Sequence, residues 1–295
     1  MKIEQVTSAQ NPKIKNLLLL QEKSKARREQ GLFVVEGRRE LEHCLEGGFE
    51  IRTLFYCPEI AEEGVVSKIS GRPRPDKREG PAGVASGRGR SEAEANFDTI
   101  PSAAKPLVIE IPEQIYRKVA YRESTEGIIA EVANKSLKLE DLKLPENPLI
   151  VVLESVEKPG NLGAVLRSAD AAGADAVLIC DPLTDLYNPN LIRASIGAVF
   201  TVPTVAVSSE DAIAFLKAKN IQILTAQLQD SSPYYDVNMR KGTAIVMGTE
   251  ATGLTNPWRQ AASAHIRIPM LGRLDSLNVS VSAAILLFEA VRQRQ

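Results

Sequence analysis

From residue 149 onward, apolar positions recur with a regular beat. Short apolar runs at Leu149–Glu154, Ala176–Cys180, 201–207, 221–226, Thr243–Met247 and 265–269 each predict a buried strand. Stretches of helical period lie between most of them, the first over 161–172 and a short one over 256–262. Unbroken apolar strands alternating with helices imply a parallel sheet covered by helices on both faces. In such a sheet, ligands sit outside the carboxyl ends of the strands.

Before residue 138 the beat is less regular. Thr7-Ser8-Ala9-Gln10-Asn11-Pro12 is a helix start signal, with proline in the first turn. It predicts one helix over 13–30. A strand over 32–36, a helix over 38–47 ended by Gly47-Gly48, and a strand over 52–56 follow. Ordered runs return at 107–111, 115–119 and 127–132. The reading is a small α/β domain over residues 1–137. Residues 70–97 interrupt it, because glycine, proline and charge dominate there with almost nothing to bury; a disordered insertion is predicted. A polar, proline-containing linker over 138–147 separates this domain from a second over 148–295.

Composition narrows the class. The chain has 295 residues, 44% hydrophobic and 25% charged, with a net charge of −1. That excludes a disulfide-stapled miniprotein, a collagen and a mostly disordered chain. Three cysteines, odd in number and far apart, give no disulfide framework, and His43 and His265 leave no metal-ligand spacing. The longest N-terminal apolar run, Leu17 to Leu20, is too short for a signal segment or a membrane span. A cytoplasmic location with no membrane partner is the expectation.

Near-neutral charge seems to disfavour a nucleic-acid partner, but its distribution changes that. Residues 148–295 carry 12 basic and 13 acidic residues, whereas residues 1–30 carry seven against three and residues 68–90 seven against two. Both basic patches lie in the first domain and leave local phosphate contacts open. The insertion then reads either as a solvated loop or as an auxiliary RNA-contacting arm.

Candidate chemistry gathers after three of the predicted strands. The first loop runs Pro159-Gly160-Asn161-Leu162-Gly163 into a helix carrying Arg167. Glycines at a helix start allow close approach of a ligand and favour negative charge; alternatively they only make a tight turn, with Arg167 a surface residue. The second, Gly248-Thr249-Glu250-Ala251-Thr252-Gly253, sets a carboxylate between glycines. The third places Ser276, Asn278, Ser280 and Ser282 at the opening of the last helix, with Ser276 a reasonable N-cap. One cap does not explain four polar residues in seven, which suit a polar pocket floor better.

A strand, a glycine turn, a helix and then Asp181 mimic a dinucleotide site, but Gly160-x-x-Gly163 lacks the Gly-x-Gly core. A Gly-Lys-Ser/Thr phosphate loop is also missing. His265 reads as packing or surface, Trp258 as packing or a dimer contact, and Asp181 and Asp185 border the cleft without an assigned task.

Taken together and in order, three motifs resemble the SpoU/TrmH family of RNA 2′-O-ribose methyltransferases, in the SPOUT class. They are Asn161-x-Gly163-x-x-x-Arg167, Gly248-x-Glu250-x-x-Gly253, and Ile268-Pro269-Met270 followed by Ser276-Leu277-Asn278-Val279-Ser280. Ser8-x-x-Asn11-Pro12-x-Ile14-Lys15 and Phe33-x-Val35-Glu36-Gly37 resemble, less specifically, the L30e-like RNA-binding domain attached to many members. The turn at 122–127 differs from the Pro-Gln-Gly common there.

The resemblance implies an α/β chain: a small L30e-like domain followed by a parallel-sheet domain tied in a knot. It also implies an S-adenosyl-L-methionine cofactor, a homodimer, and an rRNA or tRNA partner. Gly248, Ile268 and Leu277 would line the cofactor pocket. Arg167 would be the catalytic residue, with Asn161, Ser276 and Asn278 orienting it and the ribose, and Glu250 fixing the arginine or its loop. A catalytically silent RNA-binding paralogue and, less favoured, an NAD-dependent oxidoreductase are the alternatives.

Overall fold

A computed structural model describes residues 3–62, 64, 106–121, 126–249, 252–273 and 275–295. The 70–97 insertion, residues 122–125 of the unusual turn, and Glu250 lie outside the described residues. The chain forms two compact units. One comprises the described residues of Met1–Glu22 and Val34–Ala133, the other Lys23–Phe33 with Asn134–Gln295.

The first unit follows the predicted elements closely. Strand β1 (Ile3–Gln5) precedes helix α1 (Pro12–Glu22). Asn11 opens α1 by accepting from Lys13 N at 2.9 Å, and Pro12 fills the first helical position, where no N–H is needed. Ile14, Leu17 and Leu20 form its buried stripe.

The predicted single helix over 13–30 is in fact two. Lys23 is extended (φ −108°, ψ 109°), and a separate helix α2 (Ser24–Gln30) ends at Gly31 in the left-handed region (φ +62°). Neither proline nor glycine marks that break, and α2 belongs to the second unit. Strand β2 (Leu32–Glu36), helix α3 (Arg38–Glu46), strands β3 (Ile51–Tyr56) and β4 (Leu107–Glu110), helix α4 (Glu113–Val119) and strand β5 (Ile128–Ala133) complete this part. The sheet order is β1-β4-β3-β5-β2, parallel among its first three strands and antiparallel between β3 and β5.

The second unit carries a seven-stranded sheet. Its elements are β6 (Leu149–Glu154), α5 (Pro159–Ala171), β7 (Ala176–Cys180), α6 (Pro189–Ser195), α7 (Ala198–Thr201), β8 (Thr204–Val207), α8 (Ser209–Ala218), β9 (Gln222–Ala226), β10 (Ser232–Pro233), β11 (Thr243–Met247), α9 (Asn256–Ala261), β12 (Ala264–Arg267) and α10 (Val279–Arg294). Every pairing in the order β10-β12-β9-β11-β6-β7-β8 is parallel. Every residue of β6, β7 and β11 is buried, as expected for strands covered on both faces. One face packs Ile150, Val152, Leu178 and Val246 against Ala212, Leu216 and Trp258.

Two expectations shift here. The predicted strand over 201–207 is shorter, because 198–201 closes as the one-turn helix α7. The last helix starts at Val279. The chain runs outward from β6 to β7 and β8, then returns to β9, β11 and β12 on the other side of β6. That reversal sets the ends of β6, β11, β9 and β12 side by side, at the kind of switch point where open sheets hold ligands.

Candidate active site

The three motif loops leave the carboxyl ends of β6, β11 and β12. Asn161 lies in the first turn of α5, which starts at Pro159. Asn278 is the N-cap of α10: its side chain accepts from Ser280 N at 3.0 Å and from Ser280 Oγ at 2.6 Å. The Asn278 amide also donates to Asn161 Oδ1 at 3.2 Å. One side chain thus caps α10 and links its start to that of α5, where the positive ends of two helix dipoles meet. The cap is therefore Asn278, not Ser276. Ser276 is exposed and makes a long 3.4 Å contact to Asp275 Oδ1.

Arg167 is exposed on α5 and has no hydrogen-bond or ion-pair partner among the described residues. Six residues of helix separate it from Asn161, a rise of about 9 Å and about 120° of rotation. The structure joins Asn161 to Asn278 but brings Arg167 into contact with neither. Ile268 is half-buried just past β12, and Leu277 is exposed. Gly248 follows β11, and a Cβ there would lie 2.3 Å from Gly253 O, so the second loop folds back where only glycine fits. A bridge between Thr249 and Gly253 closes the turn, with Gly253 left-handed at φ +68°.

Gly163 serves packing. A Cβ there would meet Ala194 Cβ at 2.5 Å and Leu191 O at 2.8 Å, so α5 touches α6 backbone-close at this point.

A second layer of polar residues lies behind the loops. Glu154, 2% exposed at the end of β6, accepts from Thr255 N at 2.8 Å and Thr255 Oγ1 at 2.5 Å. It thereby pins the exit of the second loop. The Ser209 hydroxyl donates to Asp181 at 2.6 Å and accepts from the Trp258 indole at 2.9 Å. Trp258 is therefore a fully buried packing residue, and Asp181 a structural acceptor. Asp185 pairs with Arg27 of α2 at 2.6 Å, both well buried, and Tyr187 stacks on Phe33 with centroids 4.2 Å apart.

The His265 ring lies 2.6 Å from Thr225 Oγ1, between neighbouring strands. Sequence reasoning missed Glu154, a single polar residue closing an apolar run, and Ser209, one member of the polar run 208–211 at a helix start; only their convergence shows a role.

All three cysteines are free and buried. Burial, reinforced by Asp181 and Glu154, pushes the Cys180 thiol up, and burial with Glu59 raises Cys57 to about 11. Such thiols are poor nucleophiles. Among the described residues no three His, Cys, Asp or Glu side chains converge as a metal site, and no helix is long and apolar enough to cross a membrane.

Comparison with known proteins places the chain. Residues 148–288 match the SpoU rRNA Methylase family, and residues 11–75 match the MRM3-like substrate binding domain. The 23S rRNA (guanosine-2′-O-)-methyltransferase RlmB of Bordetella pertussis is 37% identical over 175 residues, covering 58% of this chain and 71% of that protein. A crystal structure described as an RNA 2′-O ribose methyltransferase superposes with TM-score 0.76 at 36% identity, covering 98% of this chain and 99% of the other. An AdoMet-bound rRNA methyltransferase from Sinorhizobium meliloti does so with TM-score 0.80 at 29% identity, covering 98% of both chains. The fold is that of an RNA 2′-O-ribose methyltransferase. The chain belongs to the SpoU rRNA methylase family.

Proposed function

We propose that this protein methylates a ribose 2′-hydroxyl of ribosomal RNA in the cytoplasm, with S-adenosyl-L-methionine as donor. The observation that carries the reading is the joined start of α5 and α10, through Asn161 and Asn278, beside the folded Gly248–Gly253 turn. Relatives named as 23S rRNA methyltransferases favour rRNA over tRNA.

The residues present suit an adenosyl group. Ile268, Met270 and Leu277 make no backbone–backbone hydrogen bond among the described residues, and backbone groups of this kind suit the edge of an adenine. Gly248, Ile268 and Leu277 would hold it, apolar around a few fixed polar groups. When bound, the cofactor supplies a methyl group on a sulfonium.

The remaining work falls to the chain. Exposed Arg167 holds the phosphate of the target nucleotide and stabilises the developing alkoxide with the planar donor fork of its guanidinium. Asn161 and Asn278 orient the ribose, Ser276 adds a hydroxyl at the pocket mouth, and Glu250 would fix the arginine or the second loop.

A homodimer is part of this proposal. Leu277, Val281 and Phe288 are 38%, 47% and 48% exposed and recur with near-helical spacing from the start of α10, an apolar stripe suited to a second copy.

Mapping 2′-O-methyl positions in total RNA from a strain lacking the protein tests the reading. Loss of one rRNA site is expected, and an unchanged map would refute it.

A further inference from the structure

We infer that Gln227 is a binding residue for the adenosine half of the methyl donor, an inference that rests on the proposed function above. Gln227 directly follows β9, the strand between β11 and β12. Thr225 of β9 pairs with Val246 of β11, so two steps further along both strands bring Gln227 level with Gly248. On the other side Ala226 pairs with Ile266, and Gln227 N donates to Ile266 O at 2.9 Å, two residues before Ile268. Gln227 thus lies between the second and third motif loops, although it belongs to neither.

Its side chain is oriented and incomplete. The amide nitrogen donates to Gln229 O at 2.9 Å, which fixes the oxygen on the opposite side. That Oε1 is buried and has no hydrogen-bond partner. A buried carboxamide oxygen left without a donor is costly, and such exceptions need an explanation. Adenosine offers the missing donors in its purine amino group and ribose hydroxyls. A neutral acceptor between Gly248 and Ile268 is suited to them.

Calorimetric titration of the full-length protein with S-adenosylhomocysteine and with 5′-methylthioadenosine, which lacks the amino-acid portion, tests this. Gln227→Met keeps the shape and removes the acceptor. Both compounds are expected to bind about tenfold more weakly, the worth of one hydrogen bond to a group otherwise left unpaired. A thermal melt without ligand verifies that the variant folds. Gln227→Leu, which also removes the acceptor, is expected to weaken both compounds to the same extent and provides the comparison should the methionine variant not fold.

Unchanged affinity for both compounds overturns the inference. Weakening confined to S-adenosylhomocysteine also overturns it, because the contact would then be to the amino-acid half. Wild-type protein that binds neither compound removes the methyl-donor reading itself, a failure distinct from the other two.

Discussion

Asn278 Nδ2 lies 3.2 Å from Asn161 Oδ1, while Asn278 Oδ1 accepts the N–H of Ser280 in the first turn of α10. The same side chain therefore does a helix cap's work and a linker's work, and substitutions can separate them. Asn278→Ser retains a capping oxygen and loses the link. It is expected to keep its melting temperature while methyl transfer falls at least tenfold. Asn278→Ala loses both and should also cost about 1 kcal/mol of stability. Equal turnover in the serine variant and the wild type would show that the link does not matter.

Arg167 is exposed and has no hydrogen-bond or ion-pair partner among the described residues, so its removal should leave the fold intact. Arg167→Ala is expected to melt and bind S-adenosylhomocysteine like the wild type. Its single-turnover methyl transfer should be slower by about 10²–10³, the usual loss for one electrostatic contact to developing charge. Arg167→Lys keeps the charge without the planar fork and should recover only part of the rate.

Gly163 tests packing. A methyl group added there would sit 2.5 Å from Ala194 Cβ, so Gly163→Ala must push α5 off α6. A loss of about 1–3 kcal/mol in urea unfolding is expected, as for other overpacked contacts. Because α5 also carries Asn161 and Arg167, activity per folded molecule should fall as well. Full stability in that variant would mean that α6 yields freely.

Glu131 provides a pH test in the first unit. Burial raises its carboxyl above the ordinary value, only partly offset by hydrogen bonds from Thr53 and Asn16 and by the charge of Lys13. A carboxyl raised in the folded state binds its proton more tightly there than when unfolded. Its ionisation therefore costs stability above the folded value, and that cost disappears as pH falls below the unfolded value. Glu131→Gln is expected to raise the unfolding free energy at pH 7 and to change it much less at pH 4. A gain that is equal at both pH values would place its origin elsewhere.

Much of this protein is legible in its sequence. Leu149–Glu154, Ala176–Cys180 and Thr243–Met247 are strands as their unbroken apolar runs predict, because a strand covered on both faces needs no polar position. Asn11-Pro12 opens a helix as its local chemistry requires. The motif loops lie at strand ends, since β-to-α turns are local.

Tertiary structure decided the rest. The helix predicted over 13–30 breaks at Lys23 because Arg27, 4% exposed, is drawn to Asp185, and no local propensity encodes a pair 158 residues apart. Asn278 displaces Ser276 as the cap because Asn161 stands opposite it, and Gly163 is needed because α6 lies against it. Glu154 becomes an anchor only once Thr255 folds over it. Periodicity and turn chemistry act over a few residues and can be read along the chain. Which buried polar groups meet depends on the order in which parallel strands are laid side by side, and that order exists only in the folded sheet.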